Sequence, residues 1–131
     1  IDLADLFLYN QSRYITLSSI IIIATVLKAL MFFVILKLLY NKKLNLPRPF
    51  NESLGRSVHL IAYIALGIGL FANWGTNLTG KLITEGVELP DVQRMGIGGA
   101  DVWLFMGVTL LAIAAIFLKG IEIQTENDLT V

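Results

Sequence analysis

The sequence predicts an all-α integral membrane bundle, on three observations. Of 131 residues, 56% are hydrophobic and only 15% charged, against about 25% charged in an average soluble domain. The apolar residues gather into three blocks, 15–39, 58–78 and 102–118, each near the ~20 residues a helix needs to cross a bilayer core. The largest group of basic residues, Lys42, Lys43, Arg48 and Arg56, lies between the first two blocks, as on the cytoplasmic side of a membrane. Net formal charge is zero, so direct nucleic-acid binding is not expected. The absence of cysteine excludes disulfides, thiolate metal sites and a thiol nucleophile, and leaves the redox compartment open.

Residues 1–13 mix Leu3, Leu6, Phe7 and Tyr9 with Asp2, Asp5 and Asn10, which fits a short interfacial helix or the end of a preceding span. The chain starts at Ile1 and shows no signal-peptide layout there. The first span, 15–39, has neither Gly nor Pro. The first loop, 41–57, contains Pro47 and Pro49, which interrupt any helix. Asn51 is placed to cap the next helix, with Glu52 in its first turn.

In the second span, 58–78, the small residues Ala62, Ala65, Gly69, Ala72 and Thr76 recur every three or four positions and share one face. Such a stripe lets another helix approach closely, within the chain or in a second copy. The second loop, 79–100, is polar. Val87 to Leu89 has the character of an extended segment ended by Pro90, and Gly96, Gly98 and Gly99 read as a flexible approach to the third span. Asp101 is the expected cap of that span, 102–118, and a tail follows at 119–131.

The first loop and its edges hold Lys37, Lys42, Lys43, Arg48 and Arg56, whereas the second holds only Lys81 and Arg94. The first loop and the C-terminus are therefore expected in the cytoplasm. Tyr14, Trp74 and Trp103 then mark the outer interface and Tyr40 the inner one.

Lys28 is the costliest residue in the sequence. A lysine at a helix centre costs ~2.5–3.5 kcal/mol on insertion scales. Lys28 lies roughly 14–18 Å from the inner end of its span at about 1.5 Å per residue, too deep for its side chain to reach that interface. It shares a face with Ser18, Ile21, Thr25 and Phe32. The depth of Lys28 corresponds to Leu66 to Gly69 and to Gly107 to Leu110, which offer glycine carbonyls and the Thr109 hydroxyl but no carboxylate. Lys28, Thr25 and Thr109 thus form the candidate intramembrane polar site, with a carbonyl, Thr109 or a group from outside the chain as the partner of the lysine.

The other chemical candidates are weaker. His59 is the only histidine, at the cytoplasmic edge of the second span, and an interfacial role outweighs metal binding or pH sensing because no second ligand accompanies it. Gly96, Gly98, Gly99 and Asp101 have no preceding strand, against a phosphate loop. Asn10, Asn51 and Asn77 begin N-x-Ser/Thr triplets that carry no expectation of a glycan. No paired carboxylates, activated nucleophile or metal set stands out, so neither an enzyme nor a cofactor is expected.

The run Arg48, Pro49, Phe50, Asn51, Glu52, Ser53, leading through Arg56 into an apolar span, resembles a junction in the bacterial membrane family called domain of unknown function 2975. The ending Lys119 to Val131, KGIEIQTENDLTV, is similar to that family's tail. The resemblance runs from the first loop to the C-terminus. It implies a small bacterial inner-membrane protein, commonly of four helices, with no established activity. It also implies a fourth, N-terminal span beyond the sequence, which would put both termini in the cytoplasm and provide a source of a partner for Lys28. Many members are encoded beside a helix-turn-helix regulator, which implies a regulatory or sensing role. The residues it singles out are Pro49, Phe50, Glu122, Glu126, Asn127, Leu129 and Thr130, the last five forming the candidate partner-binding tail. The competing expectation is a small transporter or channel subunit with a polar path at Lys28 and Thr109.

Overall fold

The computed structural model describes residues 3–40 and 52–130, with the side chain of Thr130 excepted. The expectations for Lys42, Lys43, Pro47, Arg48, Pro49, Phe50 and Asn51 lie outside the described residues. The described chain is all helical: α1 (Ala4–Tyr9), α2 (Gln11–Tyr40), α3 (Glu52–Thr84) and α4 (Ala100–Thr130). The last three are long and apolar enough to cross a membrane.

α1 is a short separate helix. Asn10 breaks it from α2 with extended backbone (φ −161°, ψ 109°). The Asn10 side-chain oxygen then accepts from the Arg13 amide at 3.3 Å, as an N-cap does. α1 is fixed through Leu6, which is fully buried.

α3 is the central rod, with α2 on one flank and α4 on the other. A methyl group added at Gly67 would meet Leu27 of α2 at 3.5 Å. The same addition at Gly69 would lie 2.7 Å from Leu104 of α4, and at Gly107 of α4 2.7 Å from Leu66. The glycines thus let Leu104 and Leu66 insert against the facing backbones. This close approach replaces the hydrophobic drive that helices lack in lipid. Ala62, Ala65 and Ala72 of the predicted stripe are fully or almost fully buried. The stripe is therefore filled within the chain, and a second copy would have to use another face. Met31, Ala65 and Ile68 form the mid-bundle core, with Leu27, Trp103 and Met106 packed against it.

The helices outlast the predicted spans. α3 continues six residues past Leu78 to Thr84, because Leu78 and Leu82 are buried against Leu6, Val87, Met95 and Ile97. α4 carries through the predicted tail to Thr130. Ile121 holds its continuation close to α3, with its Cδ1 3.7 Å from the Cβ position of Gly55. Asp101 lies inside the first turn of α4 rather than at its cap. The Trp103 amide instead bonds the carbonyl of Gly99 at 3.1 Å.

Residues 85–99 fold back onto the bundle through two similar turns. Gly86 (φ 94°) and Gly96 (φ 78°) take the left-handed conformation. At the first, the Val87 and Gly86 amides bond the Leu82 and Ile83 carbonyls; at the second, the Ile97 and Gly96 amides bond the Val92 and Gln93 carbonyls. This is the paired bonding of a Schellman motif, which needs a residue tolerant of positive φ between. Of the three glycines expected to make a flexible approach, Gly96 is instead a turn residue with a defined hydrogen bond. Val87 to Leu89 forms no strand.

Candidate functional site

Lys28 meets this returning segment. Its ammonium donates to the Gly96 carbonyl at 2.7 Å and lies 5.8 Å from the centroid of the Trp103 ring. Lys28 sits beside Leu27, at the level of Gly67, so its expected level on α3 agrees with the structure. On α4 the corresponding level is Leu104 to Gly107, about one turn before the expected Gly107 to Leu110. The side chain therefore turns toward the start of α4, where a carbonyl dipole and the electron-rich face of an indole receive the cation. Both contacts strengthen when water is scarce.

The next carbonyl is held from the other side. The Thr76 hydroxyl of α3 donates to Ile97 O at 3.2 Å. Between these two bonds the Ile97 side chain is fully buried in a notch over Gly75. A Cβ at Gly75 would lie 2.8 Å from Ile97 Cδ1 and 3.0 Å from Ile20 Cγ2. Two adjacent carbonyls and one buried side chain thus tie residues 96–97 to α2 and α3. A further contact links this end to α1, where the exposed Tyr9 hydroxyl donates to Glu85 Oε2 at 3.1 Å. That bond, and the negative charge of Glu85, raise the Tyr9 pKa above its ordinary 10.0.

The other two members of the expected polar site do not join Lys28. The Thr25 hydroxyl is exposed and donates to Ile21 O of its own helix at 2.8 Å. Thr109 is exposed on α4, two residues beyond the buried Gly107 and so nearly opposite the face that meets α3. The partner of Lys28 was sought at its own depth; it comes from a segment that the sequence reads as an outer loop. The signal that could have indicated this is a match of small residues: Gly75 and Thr76 on α3, and the Gly96-Ile97-Gly98 sequence that fits them.

At the opposite end, His59 is half-buried, with its ring 5.8 Å from that of Tyr63. The tail residues Glu122, Glu126, Asn127 and Leu129 are exposed on the last turns of α4. Glu122 pairs with Lys119 at 3.4 Å, a surface contact worth about 0–1 kcal/mol.

These features define a class: an all-α membrane protein with, among the described residues, three long apolar helices, whose α3–α4 connection is folded back and tied to a lysine in the middle of α2. Residues 4–131 match the family model described as protein of unknown function DUF2975. The chain belongs to that family. No curated protein and no solved structure matches it.

Proposed function

We propose that this protein is a non-enzymatic regulatory or sensing component of the bacterial inner membrane that acts through the C-terminal end of α4. One observation carries the reading: α4 is a single helix from Ala100 to Thr130. It begins next to the segment tied down by Lys28 and Thr76 and ends in exposed Glu122, Glu126, Asn127 and Leu129. A change at residues 96–97 is therefore delivered to the tail through one rod, without a joint to absorb it. A ligand or membrane state that favours the released segment over the tied one would shift the population of tail positions. Basic residues around the first loop support a cytoplasmic tail. The family resemblance supports a helix-turn-helix regulator as its partner.

The test compares binding of the full chain and of a chain ending at Lys119, both in lipid nanodiscs, to a purified helix-turn-helix regulator of the kind the resemblance implies. Loss of capture on truncation is expected; equal capture would refute the role of the tail. The transporter reading is the alternative. It needs Lys28 and Thr109 on one path, yet Thr109 lies on the exposed side of α4. Undiminished flux in a Lys28→Leu variant would remove it.

A further inference from the structure

Beside the start of α3, a cleft of about 330 Å³ opens between α3 and α4, lined by Glu52, Gly55, Arg56, His59, Leu118 and Ile121. Spacings of four and three residues put Glu52, Arg56 and His59 on one face of α3. Arg56 lies about 6 Å, and His59 about 10 Å, further into the bundle than Glu52 at roughly 1.5 Å per residue. The opposite wall, Leu118 and Ile121 of α4, is apolar. Beyond His59 comes Tyr63, exposed and with its ring against the imidazole. An aromatic at this position suits a membrane interface.

The charges of the cleft are ordered along the helix axis. The carboxylate is outermost, the guanidinium and imidazole come next, and hydrocarbon follows. Glu52 and Arg56 stand at the spacing of a helical ion pair, yet they form none in the described structure. Their formal charges cancel, so the cleft favours a ligand that carries both signs over a simple anion.

We infer that this cleft binds the head of a zwitterionic phospholipid with a primary ammonium group. The phosphate faces Arg56 and His59, the ammonium faces Glu52, and the first acyl carbons lie along Leu118 and Ile121. This order matches the lipid itself, whose ammonium is outermost and whose chains run inward. A choline head has no N–H to donate to Glu52, and a glycerol head has no positive charge to place there. The inference concerns the point where the tail leaves the bundle and holds whether or not the tail has a protein partner.

The experiment is native mass spectrometry of the full chain, released from nanodiscs with equal parts of phosphatidylethanolamine, phosphatidylcholine and phosphatidylglycerol of matched chains. The expected result is retention of the ethanolamine lipid about tenfold over the choline lipid, the scale of one charge-assisted hydrogen bond. Glu52→Gln removes that preference, Arg56→Gln lowers retention of all three lipids, and Arg13→Gln at the other end of the bundle changes nothing. Equal retention of the three heads by the unaltered chain, a comparison that needs no variant, would overturn the inference. So would a preference that survives Glu52→Gln. Displacement of the lipid by millimolar phosphoethanolamine or inorganic phosphate would overturn the assignment to a lipid, since a soluble head would then suffice.

Discussion

The Lys28 ammonium of α2 and the Gly96 carbonyl, 68 positions apart in sequence, are joined by a 2.7 Å hydrogen bond. A lysine at this depth would destabilise an isolated span. Here it faces the mouth of the bundle, and the segment that follows α3 returns to meet it. The residue that is costly for insertion thus provides the tertiary bond that holds the α3–α4 connection down. Thr76 supplies the second bond, one residue further along that connection.

Replacing Lys28 by leucine separates these two effects. Removing the charge from the span relieves an insertion cost of ~2.5–3.5 kcal/mol, so the bundle as a whole is not expected to melt earlier. Losing the charged donor weakens the tie at Gly96 by about 1.5–3 kcal/mol. Amides of residues 92–99 should therefore exchange with deuterium at least tenfold faster, while those of α3 near Ala65 stay unchanged. Hydrogen-exchange mass spectrometry in detergent or nanodiscs reads both. Unchanged exchange across 92–99 would show that the buried Ile97 side chain and the Thr76 bond hold the segment without Lys28.

The class and the three helices long and apolar enough to cross a membrane were legible because a bilayer imposes length and composition directly. The inward aim of Lys28, and a carbonyl among its possible partners, were legible for the same reason: an ammonium in lipid needs an acceptor. Which carbonyl was not legible. It depends on two turns at Gly86 and Gly96 that reverse the chain, and a glycine-rich loop reads the same whether flexible or folded. Helix ends were misplaced where packing overrode polarity. Thr79, Gly80 and Lys81 look like loop, but Leu78 and Leu82 hold that stretch against α1 and the returning segment. Thr109 was grouped with Lys28 by depth alone, and depth says nothing about which side of a helix a residue occupies.

The Tyr9–Glu85 contact gives the bundle an alkaline sensitivity at this end. The Glu85 carboxylate accepts a hydrogen bond from the Tyr9 hydroxyl and repels the phenolate, so the Tyr9 pKa is raised. The contact contributes fully below the ordinary tyrosine value of 10.0 and is lost as pH rises through the raised one. Ultraviolet titration should show a tyrosine component that ionises above 10.0. That late component should vanish in Tyr9→Phe and move to the ordinary range in Glu85→Gln. An unchanged curve in Glu85→Gln would mean that the hydrogen bond does not form in solution.

The α3–α4 interface should be sensitive to single methyl groups. At Gly107 an added Cβ would lie 2.7 Å from the Leu66 side chain and 3.1 Å from its backbone nitrogen. The backbone cannot move aside as a side-chain tip can, so Gly107→Ala must separate the helices. A loss of roughly 1–3 kcal/mol is the usual scale for such overpacking. Thermal unfolding in a fixed detergent should show a clear fall in midpoint. A midpoint equal to that of the unaltered chain would mean that the helices sit further apart than described.

Gly75 and Gly80 lie on the same helix and should respond in opposite directions. At Gly75 a methyl group would be 2.8 Å from Ile97 Cδ1 and 3.0 Å from Ile20 Cγ2, whereas at Gly80 nothing lies within 4 Å. Gly80 is exposed in the interior of α3, so alanine there gains helix propensity without disturbing a neighbour, stabilising by about 0.5–1 kcal/mol. Gly75→Ala gains the same propensity, but it must push the end of Ile97 out of its notch. Ile97 carries one of the two tied carbonyls, so its displacement strains the Thr76 bond as well. The expected outcome is a midpoint raised by Gly80→Ala and lowered by Gly75→Ala, with faster exchange at residues 95–99 only in the latter. Pairing Gly75→Ala with Ile97→Val, which shortens the obstructing side chain by the one methyl that meets the new Cβ, should recover part of the loss. If the double variant were no more stable than Gly75→Ala alone, the notch would not be the seat of the effect.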